Sequence, residues 1–490
     1  MTPEPSQRAL LWLLLAALVI KSVYFVQYLA LPILDGPVFD SLAYLRQANA
    51  IAAGRFGDAS LLAFSPLYGY LLALTGAPEN LARIVVLQLV LGCLNLVLVY
   101  QVAERLFDRR SAIVSSALYL SYGLLVFYET KVMAETLGFT LAWLTLSLCT
   151  SHAFVRGRLR IAIGTGVTLS FAMLARSNLL LIAPIVVMSL VVPWRLPDDR
   201  SWRIRLRRTL GCVLGLALVL LANGSWNYKN TGLFVPVVLR SETVGRASKT
   251  VWNGSLAAFS KRTDGYVGVF DVVAQAEKRL AGHVPKQVEA GIDWMGLLAG
   301  APTKALATMR SVETDFEYGY YGERSELSIF ALLFGSFGML GVLAVVGVVS
   351  LLMTRRAALL IPLAPWAIGA FATTILVHPS SRYRLPIVLP MLLLAGVGAI
   401  WLWERRRGPR AWWILGPVVL GCAYFSYGTL AYQLADPAMW QLRMAESAFA
   451  AVDLEEAERR IARAEAIAGD KPHIKLRIAY LRGQLKDSPP

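Results

Sequence analysis

The sequence predicts an all-α polytopic membrane protein, and three observations lead there. Of 490 residues, 56% are hydrophobic and only 16% are charged, whereas a soluble globular chain is about a quarter charged and just under half apolar. The apolar residues fall in long runs that approach or exceed the roughly 20 residues a bilayer-spanning helix needs, and mean hydropathy is +0.54. The formal net charge of +16 is gathered in alternate loops rather than spread over a surface. Together these exclude a disordered chain, a coiled coil and an ordinary cytosolic enzyme.

About eleven transmembrane helices are expected, over 9–31, 81–103, 111–128, 136–155, 160–175, 178–194, 209–227, 327–353, 357–377, 386–403 and 411–432. Arg8 and the apolar run behind it have the outline of a secretory signal. That run outlasts an ordinary signal core and no small-x-small cleavage site follows, so it reads as a retained first span. The fifth and sixth runs are short and read as half-length helices meeting near Arg176. The loops 104–110, 156–160 and 195–208, the pair Arg355–Arg356 and the loop 404–410 hold most of the arginines, while 32–80, 128–135 and 378–385 hold few. The positive-inside rule puts the first set in the cytoplasm. The expectation is a multi-pass protein of the cytoplasmic (inner) membrane, N-terminus cytoplasmic and C-terminus periplasmic or extracellular. The excess charge is then a topology signal, and no nucleic-acid partner is expected. Cys93, Cys149, Cys212 and Cys422 lie in apolar stretches and give neither a disulfide framework nor metal-ligand spacing.

The polar mass, namely loop 32–80, the segment 227–326 and a tail over 435–490, falls on the outer side, and long loops of this kind are often functional. Ionisable residues at membrane depth or at helix ends are costly and mark candidate sites. Asp40, Tyr44 and Gln47 are spaced to share one face of an amphipathic interfacial helix over 40–53, with Gly54 as its C-terminal cap. Asp40 reads either as the N-cap of that helix or as a site acid. Ser65-Pro66 is a helix start. Glu129 and Lys131 cannot share a helical face, and Glu135 opens an apolar helix, where a carboxylate suits the helix dipole. Arg176, between two apolar runs, needs an anionic partner, either a protein carboxylate or a lipid phosphate. His378, Arg382, Tyr383 and Arg384 follow the ninth span. There, two arginines break the positive-inside pattern, either snorkelling to headgroups or matching phosphate oxygens with their guanidinium forks. Carboxylates and arginines gathered at one lipid boundary suit an anionic lipid headgroup beside a general base. They suit a transporter less, since transporters carry polar residues through mid-span and repeated halves.

Several of these stretches resemble the GT-C glycosyltransferases, in particular the protein O-mannosyltransferase and aminoarabinose-transferase-like branch. Asp40-Ser-Leu-Ala-Tyr44 through Gly54 and Phe64-Ser-Pro-Leu-Tyr68 are similar to the family's first outer loop. Met133-Ala-Glu135-Thr is similar to the acidic opening of its fourth helix, and Ala175-Arg176-Ser-Asn178 to its basic turn. Asn227 through Pro236 resembles the exit into its large outer loop, Glu313-Thr-Asp315 an acidic motif before the next span, and Ser381-Arg382-Tyr383-Arg384-Leu-Pro386 its late arginine motif. Many protein O-mannosyltransferases carry Asp-Glu where this chain has Asp40-Ser41, which points away from protein O-mannosylation itself. The tail, Ala445–Ala468 followed by Pro472 and Ile474–Leu485, resembles about one and a half tetratricopeptide units, too few to stand alone; docking on the outer loop or on a protein partner is expected.

The resemblance implies transfer of a hexosyl or pentosyl group from a polyprenyl-phosphate donor to a glycan, lipid or protein acceptor outside the membrane, with inversion. It maps the catalytic residue onto Asp40. As a general base, Asp40 would take the acceptor's proton. Arg382, Arg384 and Arg176 would stabilise the leaving phosphate, and Glu135 and Glu313 would position the acceptor, with Tyr44, His378 and Tyr383 completing the substrate site. No cofactor is required by the spacing, though converging carboxylates leave room for a divalent metal. The competing expectations are a transporter or flippase of a lipid-linked sugar and a ligase or polymerase of lipid-linked oligosaccharides.

Overall fold

A computed structural model describes residues 5–37, 40–62, 64–193, 201–238, 301–302, 304–305, 308–309, 313, 318–376, 380–406, 411–427 and 437–487. Most of the expected outer segment 227–326, together with His378 and Asp315, lies outside the described residues. Those described form helices and connecting turns, with no β-strand among them.

Among the described residues four helices are long and apolar enough to cross a membrane: α1 (Pro5–Tyr28), α4 (Ala82–Leu106), α11 (Trp202–Thr231) and α15 (Ser381–Arg405). Shorter apolar helices fill in between them: α7 (Glu135–Cys149), α9 (Leu159–Ala175), α10 (Ala183–Ser189), α13 (Phe337–Met353), α14 (Ala364–Leu376) and α16 (Ala411–Tyr427). The loop 32–80 forms α2 (Asp40–Ala52) and α3 (Pro66–Leu74), and α8 (His152–Val155) turns the chain before α9. The expected break at Arg176 is present, but α9, at 17 residues, is longer than a half-span and only α10 is short. α9 ends at Ala175, Arg176 is extended, and a 3-10 turn over Ser177–Leu181 leads into α10.

Several expected spans are broken, two of them at places that meet. The run 111–128 divides into α5 (Arg109–Ser121) and α6 (Gly123–Glu129) at the extended Tyr122. The run 327–353 opens with a 3-10 turn over Ser328–Ala331 and becomes α13 only after Ser336 caps it through the Met339 amide. The breaks meet each other, since the Gly335 amide donates to Ser121 O at 2.8 Å. Gly123 also lies so close to the Phe330 and Tyr320 rings that a Cβ there would come within 3.0 Å of both.

Small residues let the helices approach, as is usual where lipid supplies no hydrophobic drive between them. A Cβ on Gly166 of α9 would overlap the Cys212 carbonyl of α11, and one on Gly347 of α13 would overlap the Leu394 carbonyl of α15. α15 is the hub of the bundle, with 78% of its apolar window buried, and it packs on α5, α13 and α14.

The tail forms α17 (Pro437–Ala450), α18 (Leu454–Ala468) and α19 (Pro472–Asp487), closed on Leu442, Ala445, Ile461, Ala464, Ile474 and Ile478. It docks on α12 (Tyr320–Glu326), where Trp440 covers Gly319 and Gly322. Glu326 accepts from Trp440 Nε1 at 2.8 Å and from Arg460 at 2.6 Å.

Candidate active site

The helix predicted from the spacing of Asp40, Tyr44 and Gln47 is α2, and its buried face is Ser41, Tyr44, Gln47 and Ala48. Tyr44 packs on Phe64 and Tyr68, with ring centroids 5.2 and 5.0 Å apart. Burial pushes its hydroxyl above the ordinary tyrosine range, so it stays protonated. Gln47 ties the helix to the loop by donating to Ser60 O at 2.8 Å and Phe64 O at 3.1 Å. Ser41 donates to Val132 O at 2.9 Å and shares a hydrogen bond with the Tyr318 hydroxyl. Val132 lies in the turn between α6 and α7, which Gln88 holds through Glu129 O (3.0 Å) and Lys131 O (2.7 Å). The N-terminus of α2 is thus fixed to the turn that delivers Glu135.

At this junction four of the predicted residues come together. Asp40 Oδ2 accepts from both terminal nitrogens of Arg382 at 3.1 Å. Arg382 Nε donates to Glu135 Oε1 at 2.5 Å, and Arg176 Nη1 donates to the same oxygen at 2.5 Å. Arg176 is aimed by its turn, since the Ser177 amide donates to Ser65 Oγ at 3.2 Å, and its guanidinium lies 5.6 Å from the Tyr383 ring centroid. The partner that Arg176 required is therefore a protein carboxylate. The Glu135 side chain is fully covered, those of Arg176 and Arg382 are 10% exposed, and that of Asp40 is 29% exposed. Glu135 Oε2 is buried with no partner among the described residues.

Arg384 and Glu313 stand apart from this cluster and form their own. Glu313 accepts from Arg384 Nη2, from Ser381 Oγ at 2.8 Å and from the Tyr122 hydroxyl at 2.7 Å. Arg384 also donates to Thr308 O at 3.2 Å and lies 4.0 Å from the Phe337 ring centroid. Glu129 and Lys131 separate as well. Glu129 meets Lys21 of α1 and Tyr119, and Lys131 meets Glu323 at 2.6 Å. Sequence reasoning missed Lys21, Glu323 and Tyr318, and noted Ser41 only as a departure from Asp-Glu, not as a strut. Lys21 was visible as a cation inside an apolar span; Glu323 and Tyr318 gave no local signal.

The comparisons agree with this architecture. A family model described as dolichyl-phosphate-mannose-protein mannosyltransferase matches residues 63–226, a stretch that holds Glu135 and Arg176 but not Asp40 or Arg382. Among solved structures, the archaeal oligosaccharyltransferase AglB from Archaeoglobus fulgidus, in complex with an inhibitory peptide and a dolichol-phosphate, matches with a TM-score of 0.50. Identity is 13%, over 89% of this chain and 56% of that one. The chain has the GT-C fold. The apo form of the Archaeoglobus fulgidus oligosaccharyltransferase gives a TM-score of 0.47 at 14% identity, over 95% of this chain and 59% of that one. The chain spans little more than half the length of either protein. No curated protein matches it. Among its described residues no group of three His, Cys, Asp or Glu is placed to hold a metal. The two carboxylates nearest each other through Arg382, Asp40 and Glu135, are both engaged by that guanidinium.

Proposed function

We propose that the chain is a membrane glycosyltransferase that moves a sugar from a polyprenyl-phosphate donor to an acceptor hydroxyl, at the membrane face that carries α2. The observation that carries this is the bridge from Asp40 through Arg382 to Glu135 and Arg176. It joins a water-accessible acid to two guanidiniums at a helix-loop boundary.

In this reading the donor phosphate competes with Asp40 for Arg382. Arg382 turns its terminal nitrogens to the phosphate oxygens, which releases the Asp40 carboxylate. Glu135 keeps Nε of Arg382 and Nη1 of Arg176 in place, so the clamp is set before the donor arrives and costs little reorganisation. The acceptor oxygen attacks the anomeric carbon and its proton passes to Asp40. The bond from that carbon to the phosphate oxygen breaks, and the polyprenyl phosphate leaves with the electron pair, its new charge met by Arg382 and Arg176. A single displacement inverts the anomeric configuration. Arg384 and Glu313 brace the start of α15 rather than touch the donor. Loop 32–80 is the floor of the site. Residues 1–434 form the transferase unit, and 435–490 a helical tail that docks on it and offers its free faces to a protein partner. The donor side is the periplasmic or extracellular face of a cytoplasmic membrane.

The test is turnover of a labelled polyprenyl-phosphate sugar by the reconstituted protein and by Asp40→Asn. The variant should fold, keep donor binding and lose about 10²- to 10⁴-fold in rate. Transfer at the wild-type rate would remove Asp40 as base. Movement of intact donor across the bilayer without cleavage would make the protein a carrier.

A further inference from the structure

At the opposite end of the bundle, the structure brings together arginines that lie some fifty residues apart in sequence. Arg156, Arg158 and Arg160 surround the start of α9, and Arg203 and Arg207 lie in the first turns of α11; all five are exposed. Gly157 and Ile204 seat the two starts against each other, and a Cβ on Gly157 would come 2.9 Å from Ile204 Cγ2. Arg205 leans on the Trp202 ring at 5.9 Å, and Arg208 is buried, donating to Leu190 O at 3.0 and 2.7 Å.

This face is far from Asp40. α9 runs 17 residues from it to Arg176, about 25 Å at 1.5 Å per residue. α11 reaches loop 32–80 at its far end, where Trp226 donates to the Tyr70 hydroxyl at 3.0 Å and packs on Phe56. Trp202 is therefore about 36 Å away along that helix.

Among the described residues no carboxylate is ion-paired to Arg156, Arg158, Arg160, Arg203 or Arg207. Residues 136–193 and 201–238 contain no Asp or Glu at all. The intervening stretch 194–200 lies outside the described residues and holds Asp198 and Asp199 against Arg195 and Arg200, so by composition it has no net charge to offer. Below the arginines, α11 presents an apolar stripe at helical spacing: Leu206 is 39% exposed, Leu210 58%, Leu214 48% and Leu218 54%, with Trp202 at its head at 54%. Cations crowning an apolar stripe beside an exposed indole match a molecule with a negative head and a hydrocarbon chain. A soluble polyanion would leave the stripe unused.

From this juxtaposition we infer that the paired starts of α9 and α11 form a binding site for an anionic phospholipid of the leaflet opposite Asp40. Its phosphate is held by Arg158, Arg160, Arg203 and Arg207, and its acyl chain lies along Leu206, Leu210 and Leu214. The site stands apart from the transfer reaction and does not depend on it.

The experiment uses the full chain in nanodiscs of equal parts phosphatidylglycerol and phosphatidylcholine, followed by extraction and native mass spectrometry of retained lipid. The wild type should keep phosphatidylglycerol over phosphatidylcholine by roughly fivefold or more, and raised salt should erode that preference. The variant Arg158→Gln/Arg160→Gln/Arg203→Gln/Arg207→Gln should fall close to the bulk ratio. If that variant does not insert, Arg158→Gln with Arg207→Gln should show about half the loss. Equal retention of the two lipids by the wild type, or an undiminished preference in either variant, overturns the site. Displacement of the lipid by millimolar inorganic phosphate makes it a free-anion site and overturns the lipid assignment.

Discussion

The cluster around Glu135 and the cluster around Glu323 are built from the same chemistry, a carboxylate meeting cations near the end of the bundle that carries α2. They differ in what is left over. Both oxygens of Glu323 are occupied, one by Tyr24 and the other by Lys131, and the side chains of Glu323 and Lys131 are fully covered. The rings of Tyr28 and Phe127 close over the ammonium at 4.2 and 4.4 Å. Glu135 puts both guanidiniums on one oxygen and keeps the other bare, and Arg382 carries the network outward to an acid that water can reach. A closed pair fixes one arrangement of helices. An open chain of charges can trade a partner for a ligand, which supports reading it as the reaction centre.

The sharpest way to break this contrast is Lys131→Met. It leaves Glu323 buried without its cation, and removing one partner of a buried pair costs about 3–5 kcal/mol. Yield and melting temperature in detergent should drop, while transfer per folded molecule stays near wild type. Lys131→Met with Glu323→Gln should recover most of the stability. A Lys131→Met protein that melts normally yet does not transfer would place the closed pair in the reaction centre. Arg382→Ala should do the reverse. It removes the guanidinium that links Asp40 to Glu135 and should cost about 10²- to 10³-fold in kcat/KM, with much of the loss in donor affinity and little change in melting. Unchanged affinity for a polyprenyl phosphate would count against the clamp.

The tail sharpens the comparison from outside, because it bears on the closed cluster's helix and not on the open one. Trp440 is 4% exposed and covers Gly322 beside Glu323. Trp440→Ala should cost about 3 kcal/mol of docking, read as faster proteolysis of the tail, with transfer reduced only severalfold. Complete loss of transfer in a folded variant would mean that the tail reaches the open cluster directly.

The helical plan was legible because apolar runs of membrane length have few other uses, and Asp40, Glu135, Arg176 and Arg382 were legible because charge at such places is expensive. What was not legible is how those charges pair. Glu129 and Lys131 are two positions apart yet turn to different partners, 108 residues upstream and 192 residues downstream. Arg382 and Arg384 look alike in sequence, but two residues along a helix turn a side chain by about 200°. One therefore reaches Glu135 while the other is buried on Glu313. The broken spans were hidden for a related reason. Composition is continuous through Tyr122, and the break depends on a contact with Gly335, 213 residues later by number (335 less 122).

The smallest expected effect tests the joint between the two clusters. Ser41 is where the resemblance to protein O-mannosyltransferases would lead one to expect the second acid of Asp-Glu, and its side chain is a strut rather than a charge. It is fully buried, donating to Val132 O on the turn before Glu135 and meeting Tyr318, which precedes the helix that carries Glu323. Ser41→Ala removes the strut and takes one hydrogen bond from the Val132 carbonyl and one from the Tyr318 hydroxyl, a cost of about 1–2 kcal/mol. Because Asp40 is the next residue, the loss should appear as a severalfold fall in kcat with the donor KM held. Ser41→Thr, which keeps the hydroxyl, should restore part of it. Ser41→Glu should be worse than Ser41→Ala, since the added carboxylate would be buried against a carbonyl oxygen with no cation assigned to it. If Ser41→Glu instead raised transfer, the site would use a second acid at this position after all, and the division between an open working cluster and a closed structural one would have to be redrawn through Tyr318.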